Sequence, residues 1–202
     1  IAPAPLTRAN LSQFFQDAFG LAAWKETPDT RWALRMNPSS GNLHPTEAYL
    51  LAGSVPGLGE QAAVYHYAPL EHALERRAEL SAELAAELWA GIHGAGVFIV
   101  GLTSIHWRES WKYGERAFRY CHMDVGHAIG AAAFAAAALG WKVRLLEGPD
   151  DADLAAILGV EGQAGWEAEH PDGLLAVDTT ATAAGAGAEF PPSPSPAEAP
   201  PP

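Results

Sequence analysis

Hydrophobic and polar positions follow two periods along this chain, and each period predicts one kind of element. Apolar side chains recur every three or four residues in four segments, which predicts amphipathic helices. The predicted helices cover residues 7–20, 70–92, 113–139 and 150–159. Thr7 has the side chain of an N-cap, and Gly20 and Gly140 end the first and third helices. The third helix is the longest, and its Ala-rich face would let another backbone or a flat ring approach closely.

Strands are predicted where apolar residues alternate with polar ones or form a short uninterrupted run. The segments with these patterns are "RWALRM", "EAYLLAG", "AVYHYAP", "GVFIVGL", "WKVRLLE" and "GLLAVDT". "GVFIVGL" is apolar throughout, which is typical of a central strand buried on both faces. Because helices and strands alternate irregularly, the sequence predicts an α+β layered domain around a mixed central sheet, and not a regular doubly wound fold.

The composition divides the chain into one folded domain and a different terminal segment. Residues 1–179 carry the predicted elements, whereas residues 180–202 are rich in Ala, Gly, Pro and Ser. Such a segment buries too little apolar surface to fold, so we expect a disordered tail or linker there.

The charge balance argues against nucleic acid as a partner. The 202 residues include 12 Lys and Arg against 24 Asp and Glu, a formal net charge of -12, and such a chain repels phosphate backbones.

A single cysteine excludes an internal disulfide, and the first residues lack the pattern of a signal peptide. The longest nearly uncharged apolar run, residues 128–141, is shorter than the ~20 residues of a membrane span. We therefore expect a soluble, cytoplasmic protein with no membrane partner.

The stretch "NPSSGNLHP", residues 37–45, has almost no propensity for helix or strand. Pro38 restricts the residue before it to extended conformations, and Gly41 permits a positive φ that lets backbone N–H groups point the same way. Short side-chain donors and acceptors are supplied by Ser39, Ser40 and Asn42. Such a loop suits a planar ligand with many hydrogen bonds and an anionic end. A surface turn that satisfies its own backbone is the alternative, and local chemistry alone favours that turn.

A second candidate is "KYGERAFRYCHMDVGHAIG", residues 112–130. His122, Asp124 and His127 could ligate a metal, but histidines five positions apart share a helix face poorly. A His/Asp acid–base pair is also open, although no activated nucleophile accompanies it. The favoured interpretation is a helix whose His and Arg side chains pair with carboxylates, and no metal site is predicted.

A third candidate, "RLLEGPDD" at residues 144–151, lies where a predicted strand ends. Strand ends in layered folds expose backbone groups to ligands. A plain strand-to-helix turn, with Asp150 or Asp151 as the cap, is an equally good interpretation.

Together these three stretches resemble the FMN-dependent nitroreductase superfamily. "NPSSGNLHP" is similar to its flavin-contacting loop, a Pro-Ser-Ser-x-Asn-x-x-Pro pattern that precedes a strand. The later segments "VYHYAP", "HALERR" and "YGERAFRYCHMDVGHAIG" resemble the SagB-type dehydrogenase branch and its nitroreductase relatives. The resemblance runs from about Leu6 to Thr179. Close relatives are often longer chains with two such halves in tandem, and this sequence resembles the first half.

The resemblance implies a nitroreductase-like fold with a long central helix, and a homodimer that binds FMN between its protomers. The residues that it assigns to FMN are Pro38, Ser39, Ser40, Asn42, Glu147 and Gly148. The first four would contact the isoalloxazine ring and ribityl chain, and the backbone of the last two would approach the hydride-accepting nitrogen. Gly126 and His127 would lie beneath the dimer interface, and no catalytic side chain is assigned.

The implied activity is that of an FMN-dependent oxidoreductase with ping-pong hydride transfer. The implied substrate is a small organic molecule such as a nitroaromatic, a quinone or an azoline, and NAD(P)H is a candidate electron donor. Backbone N–H groups aimed at the flavin would stabilise its anionic reduced form.

Two features depart from the family pattern, in which arginines before the first helix and basic residues near the C-terminus hold the FMN phosphate. Here no arginine precedes Arg8, and no Lys or Arg follows Arg144. Each missing contact would weaken phosphate binding by about 1.5–3 kcal/mol, and Arg35 is the candidate substitute. The alternative function is a non-catalytic or incomplete half that acts as a dimerisation or structural partner of a second nitroreductase-like half.

Overall fold

A computed structural model describes residues 1–90, 96–147 and 149–180 of the chain. Its strands are β1 (Leu21–Thr27), β2 (Thr30–Arg35), β3 (Thr46–Ala52), β4 (Ala63–Ala68), β5 (Ala73–Glu79), β6 (Val97–Ser104), β7 (Lys142–Leu146) and β8 (His170–Asp178). β1 and β2 pair as a separate hairpin, and the others form one sheet in the order β5-β4-β3-β6-β8-β7. Its helices are α1 (Arg8–Phe19), α2 (Ala82–Ala90), α3 (Trp107–Tyr113), α4 (Ala117–Ala138) and α5 (Asp151–Leu158).

The α+β prediction is confirmed, but the sheet is not mixed. Each pairing among the described strands is antiparallel. β6 is apolar from Val97 to Leu102 because both faces of the sheet are covered, by α1 and α4 on one side and by α5 on the other. Burial on both faces, and not parallel pairing, therefore explains its composition.

Helix α1 forms as its sequence predicts. The Thr7 hydroxyl accepts a hydrogen bond from the backbone N–H of Asn10 at 3.3 Å, which caps the first turn. The apolar stripe of α1 is fully buried and consists of Leu11, Phe14, Phe15, Ala18 and Phe19. The Phe14 ring meets Phe98 of β6 edge to face, with centroids 5.4 Å apart, and this contact ties the helix to the central strand.

Helix α4 has 22 residues and crosses the same face of the sheet. A turn of 3-10 helix at Gly114–Arg116 separates it from α3, so it begins later than predicted. Ala128, Ala132 and Ala136 are completely buried in the core that α1 also lines, because their small side chains allow close approach. The opposite face of α4 leaves Phe134 81% exposed, and Phe118 and Met123 are also exposed.

Residues 70–92 do not form the single predicted helix. Residues 73–79 form β5, an edge strand that pairs with β4, and only Ala82–Ala90 is helical. Residues 91 and 92 lie outside the described residues, as do residues 181–202 of the predicted tail. β1 is a strand that the sequence pattern missed, since its side chains are mostly exposed and carry no alternation. None of the helices within the described ranges is long and apolar enough to cross a membrane.

Candidate functional site

Helix α4 holds the loop Asn37–Pro45 through one buried carboxylate. Asp124 is 1% exposed and accepts a bond from the Ser40 backbone N–H at 3.0 Å and from the Ser40 hydroxyl at 3.1 Å. These bonds join residues 84 positions apart in sequence. The loop is therefore anchored by tertiary structure and is more than a self-contained surface turn.

Within the loop, side chains bond to one another and to the neighbouring hairpin. The Ser39 hydroxyl accepts a bond from the His44 backbone N–H at 2.8 Å, and the Asn42 amide donates to the Ala33 carbonyl at 2.9 Å. The Asn42 carbonyl oxygen lies 2.7 Å from Nε2 of His44. Gly41, Asn42 and His44 all have positive φ, at 62°, 59° and 50°. Two of these residues are not glycine, so the loop holds strain that the surrounding bonds maintain.

Lys112 and Tyr113, at the end of α3, lie over Gly41. A Cβ atom at Gly41 would collide with the Tyr113 hydroxyl and would come within 2.7 Å of the Lys112 Nζ. Only a residue without a side chain leaves room there for both groups. An ammonium and a phenol thus stand together above the loop, where they can donate hydrogen bonds to a ligand.

Buried polar atoms without a partner concentrate at this place. In the described residues, five such side-chain atoms occur: Asn37 Oδ1, His44 Nδ1, Thr46 Oγ1, His106 Nε2 and Glu109 Oε1. All five belong to residues 37–46 or 106–109. The two segments touch, because the Arg108 guanidinium donates to the His44 carbonyl at 3.0 Å. Buried polar groups are normally satisfied, so this concentration makes the region a candidate site for a polar ligand.

A cleft of about 460 Å³ opens beside the loop. Its charged and polar lining consists of Arg35, His44, Glu47, His66, Glu71 and Arg108. Glu47 lies at its centre, buried at the start of β3, and forms ion pairs with Arg108, with His66 at 2.9 Å and with Arg35 at 3.9 Å. His66 is also bonded to Glu75 at 3.0 Å, and Arg108 pairs with Glu167 at 2.9 Å.

This network changes the acidity of its members. Burial alone would raise the pKa of Glu47, but the hydrogen bond from His66 and the charges of Arg35 and Arg108 outweigh it and lower that pKa. The bond to Glu47 raises the pKa of His66 despite burial. Burial, followed by the charge of Arg35, lowers the pKa of His44 to about 4. At neutral pH the cleft therefore carries an ionised Glu47 and a neutral His44.

The structure brings together five of the seven residues assigned to the cofactor. Arg35, Pro38, Ser39, Ser40 and Asn42 lie in or next to the loop. Arg35 donates to the Thr46 carbonyl at 3.1 Å and lines the cleft. Glu147 is exposed at the end of β7 and lines a different cleft of about 540 Å³, with Arg144 and Asp153. β7 is three strands from β3, roughly 14 Å across the sheet, and Gly148 lies outside the described residues.

The three side chains weighed as metal ligands have separate surroundings. Asp124 bonds to Ser40, while the His122 Nδ1 lies 2.8 Å from the Phe118 carbonyl and His127 is exposed. The hypothesis of a His/Asp pair on α4 is therefore wrong. The turn before α5 contains the predicted cap, because the Asp150 carboxylate accepts bonds from two backbone N–H groups at 2.9 Å.

Sequence reasoning missed several groups of the site. Glu47 had one signal, an acidic residue that opens the apolar run "EAYLLAG". A charge in a buried strand implies a partner. Lys112 and Tyr113 carried no signal of their own, because their approach to Gly41 depends on how α3 packs. Arg108 likewise reaches Glu47 across 61 positions of sequence.

Comparison with known proteins identifies the family to which the chain belongs. The model of the family described as "Nitroreductase family" matches residues 2–177. A protein of Methanocaldococcus jannaschii, provisionally named a nitroreductase, is 32% identical over 141 residues, which cover 68% of this chain and 66% of the relative. The microcin B17-processing protein McbC of Escherichia coli is 30% identical over 141 residues, which cover 67% and 52%. The chain thus spans between half and two thirds of the length of these relatives.

Solved structures share the fold. A provisionally named nitroreductase of Anabaena variabilis superposes with a TM-score of 0.73 at 24% identity, over 85% of this chain and 35% of that one. A chain of the Escherichia coli microcin synthetase McbBCD complex, with truncated pro-MccB17 bound, has a TM-score of 0.67 at 23% identity, over 88% and 65%. At these identities the likeness establishes the architecture of the domain.

Proposed function

We propose that this chain, which belongs to the nitroreductase family, is an FMN-dependent oxidoreductase of the SagB-type dehydrogenase branch. The observation that carries the proposal is the concentration of partnerless buried polar atoms at residues 37–46 and 106–109. The family's members are generally flavin-dependent, and the kinship to McbC supports the branch. A flavin ring with its ribityl chain and phosphate is a polar, planar, anionic ligand of the kind that this loop suits.

The residues present fit such a group. Asn37 Oδ1, His44 Nδ1 and Thr46 Oγ1 are free to bond to it, and the Lys112 ammonium can donate to an anionic edge. Arg35 is the proposed phosphate partner, because it lines the cleft beside the loop. Bound FMN supplies hydride acceptance and release. The chain itself supplies fixed donors and positive charge, which favour the reduced, anionic state of the group that they hold.

The proposed reaction is ping-pong oxidation and reduction of small organic molecules. One substrate, with NAD(P)H as the candidate donor, binds and leaves before a nitroaromatic, quinone or azoline takes its place. A homodimer is proposed as the active form, because α4 exposes three large apolar side chains, Phe118, Met123 and Phe134. Glu147 and Gly148 remain proposed flavin contacts through their backbone, although Glu147 lines a separate cleft.

Titration of the purified chain with FMN tests this proposal. We expect saturable quenching of flavin fluorescence, and a Lys112→Met variant should bind FMN at least about tenfold more weakly, because it lacks a charge-assisted hydrogen bond. Lys25→Met is the matched control, since Lys25 is exposed on the separate hairpin. Equal affinity of all three proteins would contradict the proposed site.

A second candidate function has its own supporting observation. The chain spans 66% and 52% of the two curated relatives, so a complete site requires residues from elsewhere if the relatives' additional length contributes to it. In that case the chain is an incomplete, non-catalytic half that pairs with a second nitroreductase-like half. A folded, dimeric chain that binds no FMN at any concentration tested would favour this function.

A further inference from the structure

Beneath the loop lies a pair of buried carboxyl groups. Glu109 of α3 has no exposed surface and packs against α4 close to Asp124, which is also buried. The Cys121 thiol donates weakly to Glu109 Oε2 at 3.9 Å, whereas Oε1 has no donor. Asp124 is the carboxylate that accepts the bonds from Ser40, so the pair connects the interior of the helix layer with the loop.

Two carboxylates in contact inside a protein do not both ionise, because desolvation and mutual repulsion oppose the second charge. The donors decide which group carries that charge. Asp124 accepts hydrogen bonds from the backbone N–H and the hydroxyl of Ser40, while among the described residues Glu109 accepts one from the Cys121 thiol alone. Glu109 therefore keeps its proton, and a protonated carboxyl can donate to Asp124. Burial, and then the charge of Asp124, raises the pKa of Glu109 to about 8.

We infer that Glu109 is a positioning residue of the candidate site. As a neutral acid it donates one hydrogen bond to Asp124, and Asp124 holds Ser40 and the strained loop around it. The inference rests on the proposed function only for the identity of the ligand that the loop binds. Ionisation of Glu109 places a second negative charge against Asp124, so the loop loosens and its ligand is bound more weakly in alkaline solution.

The surroundings of Glu109 define when it ionises. On α4 it faces Asp124 and Cys121, and on its own helix the Lys112 ammonium acts in the opposite direction and favours the charged form. Burial raises the pKa of the neighbouring Cys121 thiol, and the charge of Asp172 on β8 raises it further. Lys112 also lies over Gly41, so the charge of this one lysine acts both on the loop and on the carboxyl pair.

Hydrogen–deuterium exchange of the cofactor-free chain tests the inference without any ligand. The peptide that contains Ser40 should lose protection by about tenfold between pH 8 and pH 9.5 in the native chain. Glu109→Gln keeps a donor toward Asp124 but cannot ionise, so its loop protection should not change over that range. Asp172→Asn is the matched control, because Asp172 is a half-buried acid whose pKa is also raised by burial, and its side chain bonds to Ser104 and not to the loop. This variant should keep the native response.

FMN binding provides the second arm. The native chain should bind FMN about tenfold more weakly at pH 9.5 than at pH 7, and Glu109→Gln should remove most of that change. If Glu109→Gln does not fold, Ser40→Ala replaces it: without the hydroxyl bond, its loop should be less protected already at pH 7. Identical exchange of native and Glu109→Gln loops at every pH overturns the inference, even if FMN binds. Absence of FMN binding at every pH contradicts the proposed function and leaves the exchange experiment valid.

Discussion

At the scale of single residues, the loop is held in place by bonds that come from distant parts of the chain. Asn42 and His44 keep a positive φ although neither is glycine. The cost of that conformation is offset by Asp124 below the loop and by the hairpin carbonyl of Ala33 beside it. Gly41 is different, because the space a side chain would need is taken by Lys112 and Tyr113.

Replacement of Gly41 by Ala should separate backbone strain from crowding. Gly41 and Gly159 both adopt left-handed conformations, and nothing lies within 4 Å of a Cβ at Gly159. Each alanine variant should lose about 1 kcal/mol of unfolding free energy. Only Gly41→Ala should also displace the flexible ends of Lys112 and Tyr113 and weaken FMN binding, by about tenfold. Urea denaturation and FMN titration measure the two effects, and equal FMN affinity in both variants would contradict the placement of Lys112.

Glu47→Gln should strongly destabilise the fold. The substitution leaves Arg35 and Arg108 partly buried with no carboxylate between them, and we expect a loss of about 3 kcal/mol in unfolding free energy. Glu75→Gln is the control, because Glu75 is half exposed and its bond to the same His66 is worth less than about 1 kcal/mol. Chemical denaturation at pH 7 distinguishes them, and similar losses would mean that burial of Glu47 is not decisive.

At the scale of elements, the sequence predicts those whose side chains meet the core. α1 and α4 carry apolar stripes and β3 and β6 carry apolar runs, and each is found close to its predicted range. The sequence pattern predicts helix where β5 lies, because an exposed edge strand takes its stability from backbone bonds to β4, which leave no apolar period in "ALERRAE". Contacts between elements are less predictable still: nothing local to Ser40 indicates Asp124, since packing of α4 brings them together.

The exposed face of α4 should mediate self-association. Phe134→Lys replaces the most exposed large apolar side chain of α4 with a charge, so a dimer that buries Phe134 should dissociate. Leu145→Lys is the control, because Leu145 is comparably exposed but lies on β7. Sedimentation velocity of the native chain and both variants measures the effect. A native dimer that persists in Phe134→Lys would assign the interface to another surface.

At the scale of the whole molecule, ionisable groups give the fold a characteristic dependence on pH. The lowered pKa of Glu47 contributes stability above its ordinary value of 4.5, which is lost as pH falls through the folded-state pKa. Burial lowers the pKa of His44 to about 4, so the folded state takes up this proton less readily than the unfolded state. The free energy of unfolding therefore decreases further as pH falls below 6.5. Burial raises the pKa of Asp172 to about 6 and acts oppositely, since that acid is easier to bury when protonated.

His66 should add a loss of stability on the alkaline side. Its pKa is raised above 6.5 by Glu47 and Glu75, so its contribution is complete below pH 6.5 and disappears as pH rises through the folded-state pKa. The difference in unfolding free energy between the native chain and His66→Gln should therefore be constant below about pH 6 and smaller above pH 6.5. Urea denaturation from pH 5 to pH 9 measures this difference. A difference that grows with pH would contradict the raised pKa of His66.

The position of β8 within the sheet determines the order in which the chain can fold during synthesis. Residues 170–178 lie between β6 and β7, and β7 pairs with no other described strand. Until residue 178 has left the ribosome, β6 therefore presents an open edge of apolar residues, and β7 has no sheet to join. Contacts of such long sequence separation form slowly, so the nascent chain passes through a state with exposed strand edges that is prone to aggregation.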